Sequence, residues 1–210
     1  MKIKGLYAII DNSILPSFSN AEIAKKVLTG GAQILQLRGK GLSSKELLEQ
    51  AREIRELTRT AGAILIVNDR ADIALLSDAD GVHLGQDDLP ISEARKILGK
   101  EKMIGISTHS LEQAVKAEQE GADYIGFGPV FGTKTKADAE GAKGLRALLE
   151  VKQRVSIPVV AIGGINLENM GEVIDAGPDG AAVISAIIKA ENIEDATRKF
   201  VEAFSKSRPD

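Results

Sequence analysis

The sequence predicts an α/β fold, a single-domain (βα)8 or TIM barrel that takes in residues 1–210 as one catalytic unit. Eight short apolar runs, each followed by a helical pattern, recur at intervals of about 20 to 30 residues. The runs lack clean two-residue alternation, as expected of parallel strands buried on both faces with helices outside. Polar clusters fall at the ends of seven of the eight runs, the end where such a barrel gathers its active groups. A doubly wound open sheet competes, but it usually carries a glycine-rich dinucleotide loop after its first strand, and here that place reads DNSILPSF. At 210 residues the barrel would be a compact one, since about 250 is typical.

The first strand is read at Gly5–Ile10, halted by Asp11 and Asn12. Ser19 or Asn20 caps a helix from Ala21 to Thr29, closed by Gly30 and Gly31. Ile34, Leu35 and Leu37 form the second strand, with Gln36, Arg38 and Lys40 at its end and Gly39 and Gly41 beside the lysine. Ser43 or Ser44 caps the next helix; Glu46 lies near its first turn, Leu47, Leu48, Ala51, Ile54, Leu57 and Thr58 follow helical spacing, and Gly62 ends it. The third strand is Ile64–Val67, followed by a short helix near Arg70 to Leu76, and the fourth is Gly81–Leu84. Pro90 opens a helix that Gly99 stops.

The fifth strand is read at Met103–Ile106, with Ser110 beginning the helix after it. The sixth is Tyr124–Phe127, and a long glycine-bearing loop over 128–144 leads to a helix from about Leu145 to Gln153. The seventh strand starts at Pro158 and Asn166 caps its helix; the eighth is Gly180–Ile184, and a final helix covers roughly Ile193 to Ser205. No linker, short repeat or low-complexity run marks a domain boundary.

Composition removes several classes of function. With 43% apolar and 27% charged residues the chain has an ordinary globular mix. A net charge of -3 gives no basic face for nucleic acid. The absence of cysteine excludes disulfides, thiolate catalysis and thiolate metal ligation. No run is long enough for a membrane span. The apolar stretch after MKIKG is too short for a signal peptide, so the cytoplasm is the expected compartment. The sequence leaves the oligomeric state open, a homodimer included.

The strand ends point to phosphate and a hard cation. Gly163 and Gly164, just before a helix, either expose N–H groups to an anion or only make a tight turn; Ile184 and Ser185 follow the eighth strand. Loops seven and eight are the usual phosphate grip of this barrel. Asp69 and Asp88, released by neighbouring strands, suit Mg2+, which takes a few carboxylates, waters and ligand phosphates. Capping of the following helices is their other reading, and Asp11 and Asp87 are weaker ligands. Arg38 can grip phosphate bidentately, and Lys40 and Lys136 supply point charges from loops two and six. Two phosphate-bearing substrates explain both signs of charge at one mouth better than one. His83 either fills the core or faces the mouth, and His109 is a cap or a ligand. No serine or cysteine triad is present, and two histidines make zinc a poor fit.

Over essentially its whole length the chain resembles the thiamine phosphate synthase (thiamine-phosphate pyrophosphorylase) family. The resemblance rests on QLRGK at 36–40, VND at 67–69, DGVHLGQDD at 80–88, GISTHS at 105–110, DYIGFGPVFGTKTK at 123–136, VVAIGGI at 159–165 and AVISAI at 182–187. It implies Mg-dependent condensation of a hydroxymethylpyrimidine diphosphate with a thiazole monophosphate, releasing diphosphate. It further implies that Gln36 and Asn68 hold the pyrimidine, that Arg38, Lys40 and Lys136 bind its diphosphate, and that Asp69 and Asp88 hold Mg2+. Ser107 would contact the leaving diphosphate or nascent product, Thr133 and Thr135 the thiazole substrate, and Gly164, Ile184 and Ser185 its phosphate. Such chemistry needs no protein nucleophile, only positioning, charge stabilisation and exclusion of water, for which loop 128–144 is the lid candidate. Glycine stands at position 39 where many members have glutamate, and 137–144 is less typical. A related thiazole tautomerase would not need the acidic pair or the TKTK loop, and a non-catalytic phosphate sensor would lack productive metal geometry.

Overall fold

The computed structural model describes residues 2–11, 13–133 and 141–206. Eight parallel strands pair in sequence order and close into a barrel: β1 Gly5–Ile10, β2 Ile34–Leu37, β3 Ile64–Asn68, β4 Gly81–Leu84, β5 Met103–Thr108, β6 Tyr124–Phe127, β7 Val159–Ile162 and β8 Gly180–Val183. The seam is the parallel pairing of β1 with β8, in register from Gly5 with Gly180 to Ala8 with Val183. The connecting helices are α1 Asn20–Thr29, α2 Ser44–Ala61, α3 Ala71–Leu76, α4 Ile91–Leu98, α5 Leu111–Gln119, α6 Gly144–Arg154, α7 Met170–Asp175, α8 Ser185–Ile188 and α9 Ile193–Lys206. The predicted TIM barrel is therefore the observed fold.

Local chemistry explains the starts of the first two helices. Ser19 with Glu22, and Ser43 with Glu46, form reciprocal capping boxes that satisfy donors at the heads of α1 and α2. Gly62 ends α2 in the left-handed conformation. Several boundaries differ from the sequence reading. Pro90 precedes α4 at its cap position. β5 runs two residues past Ile106, because Ser107 and Thr108 pair with Gly126 and Phe127. Asn166 does not cap α7: its Oδ1 accepts the N–H groups of Glu168 (2.9 Å) and Asn169 (3.1 Å), making a turn that delays the helix to Met170. α8 is a one-turn helix that apolar patterning did not announce.

Two apolar cores result. The larger lies between the sheet and the helices and takes one face of every strand, with Leu35, Leu65, Val82, Ile104 and Phe127 among its members. The smaller fills the lumen with Ile3, Tyr7, Ile9, Ile34, Ile64, Ile66, Tyr124, Val160 and Ala182. Burial on both faces is the reason the strands read as continuous apolar runs. Gly105 belongs to this lumen because a Cβ there would overlap the Tyr124 ring.

The end of the barrel opposite the mouth carries a short repeat that the sequence reading missed: DAD at 78–80, GAD at 121–123 and GPD at 177–179, each just before an even strand. In each, one carboxylate ties the strand behind it to a helix. Asp80 accepts Leu65 N–H (2.8 Å) and pairs with Arg55 of α2 (2.7 Å). Asp123 accepts Ile104 N–H (2.7 Å) and pairs with Arg95 of α4 (2.6 Å). Asp179 accepts Val159 N–H (2.8 Å) and pairs with Lys152 of α6 (2.7 Å).

Removing one of these carboxylates takes the side-chain acceptor from a strand N–H and the closest carboxylate from a cation. The Asp80 and Arg55 side chains are only 15% and 13% exposed, against 42% for Asp123. Asp80→Ala is expected to lower unfolding stability by about 2–4 kcal/mol, read from urea midpoints at unchanged slope, and Asp123→Ala by less. Equal losses would show that burial does not set the strength of these ties.

Candidate active site

At the carboxyl ends of the strands lies a cavity of about 1100 Å3. Arg38 and Lys40 come to it from the end of β2, Asn68 and Asp69 from β3, and Asp88 from the turn after β4. Ser107 reaches it from β5, Thr133 from the loop after β6, Gly164 from the loop after β7, and Ile184 and Ser185 from the end of β8. Ten of the sequence-predicted site residues therefore share one mouth. Gln36 is placed lower: it faces the lumen from within β2 and lines a cavity of about 20 Å3 beneath the mouth, with Tyr7, His83 and Tyr124. Gly126, Ile162 and Ala182 line both cavities. The smaller one has room for a single water. Thr135 and Lys136, with the rest of segment 134–140 of the expected lid, lie outside the described residues.

The acidic pair meets. Asp69 ends β3 in the left-handed region, φ 64°, its N–H held by the His83 carbonyl at 2.8 Å. An L-residue other than glycine in that conformation is strained by about 1–3 kcal/mol, although Asp tolerates it better than most. It does not cap α3, whose cap position is Arg70 and has no side-chain capping hydrogen bond. Asp88 folds back so that Oδ2 accepts Gly85 N–H at 2.6 Å. Burial, then the Asp88 charge and a hydrogen bond with Asp88, push the Asp69 carboxyl up to about 6, while Lys40 and Arg38 pull the other way. Two carboxyls competing for one proton in a cavity are a donor set that a hard dication relieves. No group of three or more His, Cys, Asp or Glu able to hold a metal exists among the described residues, so the pair fits Mg2+, which keeps most of its waters, better than a fully protein-ligated ion.

The basic side is anchored. Arg38 pairs with Asp11, which is 1% exposed and also accepts Ser13 N–H (3.0 Å) and Oγ–H (2.6 Å). Asp11 is thus an orienting group for the guanidinium and not a metal ligand. The sequence reading missed this role, although Asp11 and Arg38 end strands that pair with each other. Gly163 and Gly164 both adopt left-handed φ, 99° and 66°, and a Cβ at Gly164 would sit 2.7 Å from Phe131 Cβ. They pack against the loop after β6 in a tight turn that also puts them on the wall of the mouth.

His83 points inward. Its Nε2 lies 2.9 Å from Ser107 Oγ and its Nδ1 3.1 Å from Tyr124 Oη. Tyr124 Oη is 2.9 Å from Tyr7 Oη, which accepts Gln36 Nε2–H at 2.8 Å. Burial raises both phenols above their ordinary range, so they stay protonated. Neither tyrosine was singled out from the sequence; glycines 105 and 126, opposite Tyr124 and His83, were the available signal. His109 turns aside, with Nδ1 against the Gly128 carbonyl at 2.6 Å.

Because Asp69 is harder to ionise in the folded state than in the unfolded chain, it holds its proton to higher pH when folded. Stability therefore falls as pH rises from about 4, its ordinary value, through about 6. Asp69→Asn, which tolerates the same backbone, should raise the melting temperature of ligand-free protein at pH 8 and leave it near the parent's at pH 4. Equal melting temperatures at pH 8 would mean that the pair is not under repulsion.

The thiamine monophosphate synthase family profile matches residues 6–187. A thiamine-phosphate synthase from Methanospirillum hungatei is 52% identical, covering 94% of this chain and 96% of its own. One from Chloroflexus aurantiacus is 47% identical over 92% and 89%. A solved thiamine phosphate pyrophosphorylase from Pyrococcus furiosus superposes with a TM-score of 0.90 at 41% identity, covering 98% of both chains. With that extent of likeness in sequence and structure, the chain belongs to the thiamine monophosphate synthase family.

Proposed function

We propose that this chain is a Mg-dependent thiamine phosphate synthase, a transferase that joins a 4-amino-2-methyl-5-hydroxymethylpyrimidine diphosphate to a 4-methyl-5-(2-phosphoethyl)thiazole. The observation that carries the reading is the Asp69–Asp88 pair in the same cavity as Arg38 and Lys40. Opposite charges gathered at one mouth suit a metal-bound diphosphate, and a monophosphate alone would leave them without a role.

Asp69 and Asp88 would hold Mg2+, whose part when bound is to neutralise charge on the departing diphosphate. Arg38, fixed by Asp11, takes phosphate oxygens in a defined orientation, and Lys40 and Lys136 add positive charge. Asn68 would hold the pyrimidine from the mouth with Gln36 beneath it, and Ser107 would contact the leaving diphosphate or nascent product. The C–O bond breaks with its electron pair leaving on the diphosphate. The amino-pyrimidine delocalises the positive charge left on the methylene, and the thiazole nitrogen lone pair then forms the new C–N bond. Thr133 and Thr135 would contact the thiazole substrate, and the amides near Gly164, Ile184 and Ser185 would cradle its phosphate. No protein nucleophile takes part, so catalysis is orientation plus electrostatics. Both substrates are small and phosphorylated. No described helix is long and apolar enough to cross a membrane, and a cytoplasmic site of action is part of the same proposal.

Supplying both substrates with Mg2+ should yield thiamine phosphate and diphosphate in equal amounts, with chelation abolishing turnover and added Mg2+ restoring it. Asp88→Ala should lose at least ~100-fold in turnover, as when a major electrostatic contact to the transition state is removed. Unchanged turnover in that variant would remove Asp88 from the ligand set.

A further inference from the structure

The chain contains two tyrosines and two histidines. Both tyrosines and one of the histidines meet inside the barrel, in a row that runs from Gln36 through Tyr7, Tyr124 and His83 to Ser107. Tyr7 is 2% and Tyr124 0% exposed, in a lumen otherwise filled by Ile, Val and Ala. Phenylalanine would fill the same space without placing hydroxyls out of water, so shape alone does not account for the phenols.

The row has a direction. Gln36 Nε2–H is given to Tyr7 Oη, so the Tyr7 proton is the one available for Tyr124. In that order Tyr124 would donate to His83 Nδ1, 3.1 Å away, and the imidazole proton would then sit on Nε2. Nε2–H would be donated to Ser107 Oγ at 2.9 Å, leaving the Ser107 proton for the mouth that Ser107 lines. His109 takes the opposite tautomer, since its Nδ1 must donate to the Gly128 carbonyl.

We infer that Tyr7, Tyr124 and His83 are positioning residues that lock the Ser107 hydroxyl as a hydrogen-bond donor toward the substrate, so that it meets an acceptor atom (a phosphate oxygen or a ring nitrogen) and not an N–H group. This deepens the proposed function and rests on it for the identity of the substrate; the polarity of the row does not. Gly105 and Gly126 serve the same row: one clears space for the Tyr124 ring, and a Cβ at the other would stand 3.2 Å from His83 Cε1.

The test uses full-length protein with 15N-labelled histidine, His109→Gln assigning the two rings. Parent His83 should show a protonated Nε2 and an unprotonated Nδ1 at neutral pH without substrate. Tyr124→Phe should convert this to a mixture, lower kcat about tenfold, and leave the KM for the thiazole phosphate within twofold at a melting temperature close to the parent's. Tyr7→Phe, which leaves the His83 contact intact, should lower kcat less. The proton on Nδ1 in the parent, or a Tyr124→Phe protein with unchanged nitrogen shifts and kcat, would overturn the inference. If the parent makes no thiamine phosphate, the proposed function fails, and the nitrogen shifts still decide the relay.

Discussion

The hydrogen bonding of β1 to β8 is the constraint on which the rest of the molecule depends. Gly5 to Ala8 pair with Gly180 to Val183, and only this seam turns an eight-strand parallel ribbon into a closed wall. Asp179 ties this seam to β7: its carbonyl accepts Gly5 N–H at 2.9 Å, its N–H donates to the Val159 carbonyl at 2.8 Å, and its carboxylate accepts Val159 N–H. Because every strand runs the same way, closure brings all the carboxyl ends to one rim. Groups more than a hundred residues apart in the chain, such as Arg38 and Ser185, then face a single cavity.

The two rims are under opposite electrostatic regimes. At the lower rim each of three aspartates meets a cation and a strand N–H, so charge is satisfied and the helices are tied to the sheet. At the upper rim Asp69 and Asp88 repel each other, and Asp69 stays in a left-handed conformation. Strain and unsatisfied charge are what a site kept ready for a ligand requires, and a rigid scaffold below is what tolerates them. Asp11 belongs to both regimes: it neutralises Arg38 within the protein while leaving the guanidinium on the cavity wall.

Between the rims the lumen is apolar except for one hydrogen-bonded row. Register places Asn68, His83, Gly105 and Tyr124 side by side on consecutive strands. The small residue at 105 is what lets the larger rings reach across. The row joins the residue beneath the mouth, Gln36, to one at its wall, Ser107, without any contact through solvent.

The sequence by itself determined the barrel, its strands to within two residues, and ten of the residues that line the mouth. Strand burial and helix caps are local, and motifs such as QLRGK and DGVHLGQDD hold their functional groups at fixed offsets from strand ends. Only the tertiary structure decided which of those groups touch. Asp11 grips Arg38, Asn166 makes a turn and not a cap, Gln36 lies beneath the rim, and His83 links Tyr124 to Ser107. The recurring DAD, GAD and GPD segments likewise have no visible purpose until their carboxylates are seen against the neighbouring strand. The physical reason is the same in each case: a side chain's period tells which face it occupies, whereas its partner comes from another strand, set by sheet register and closure.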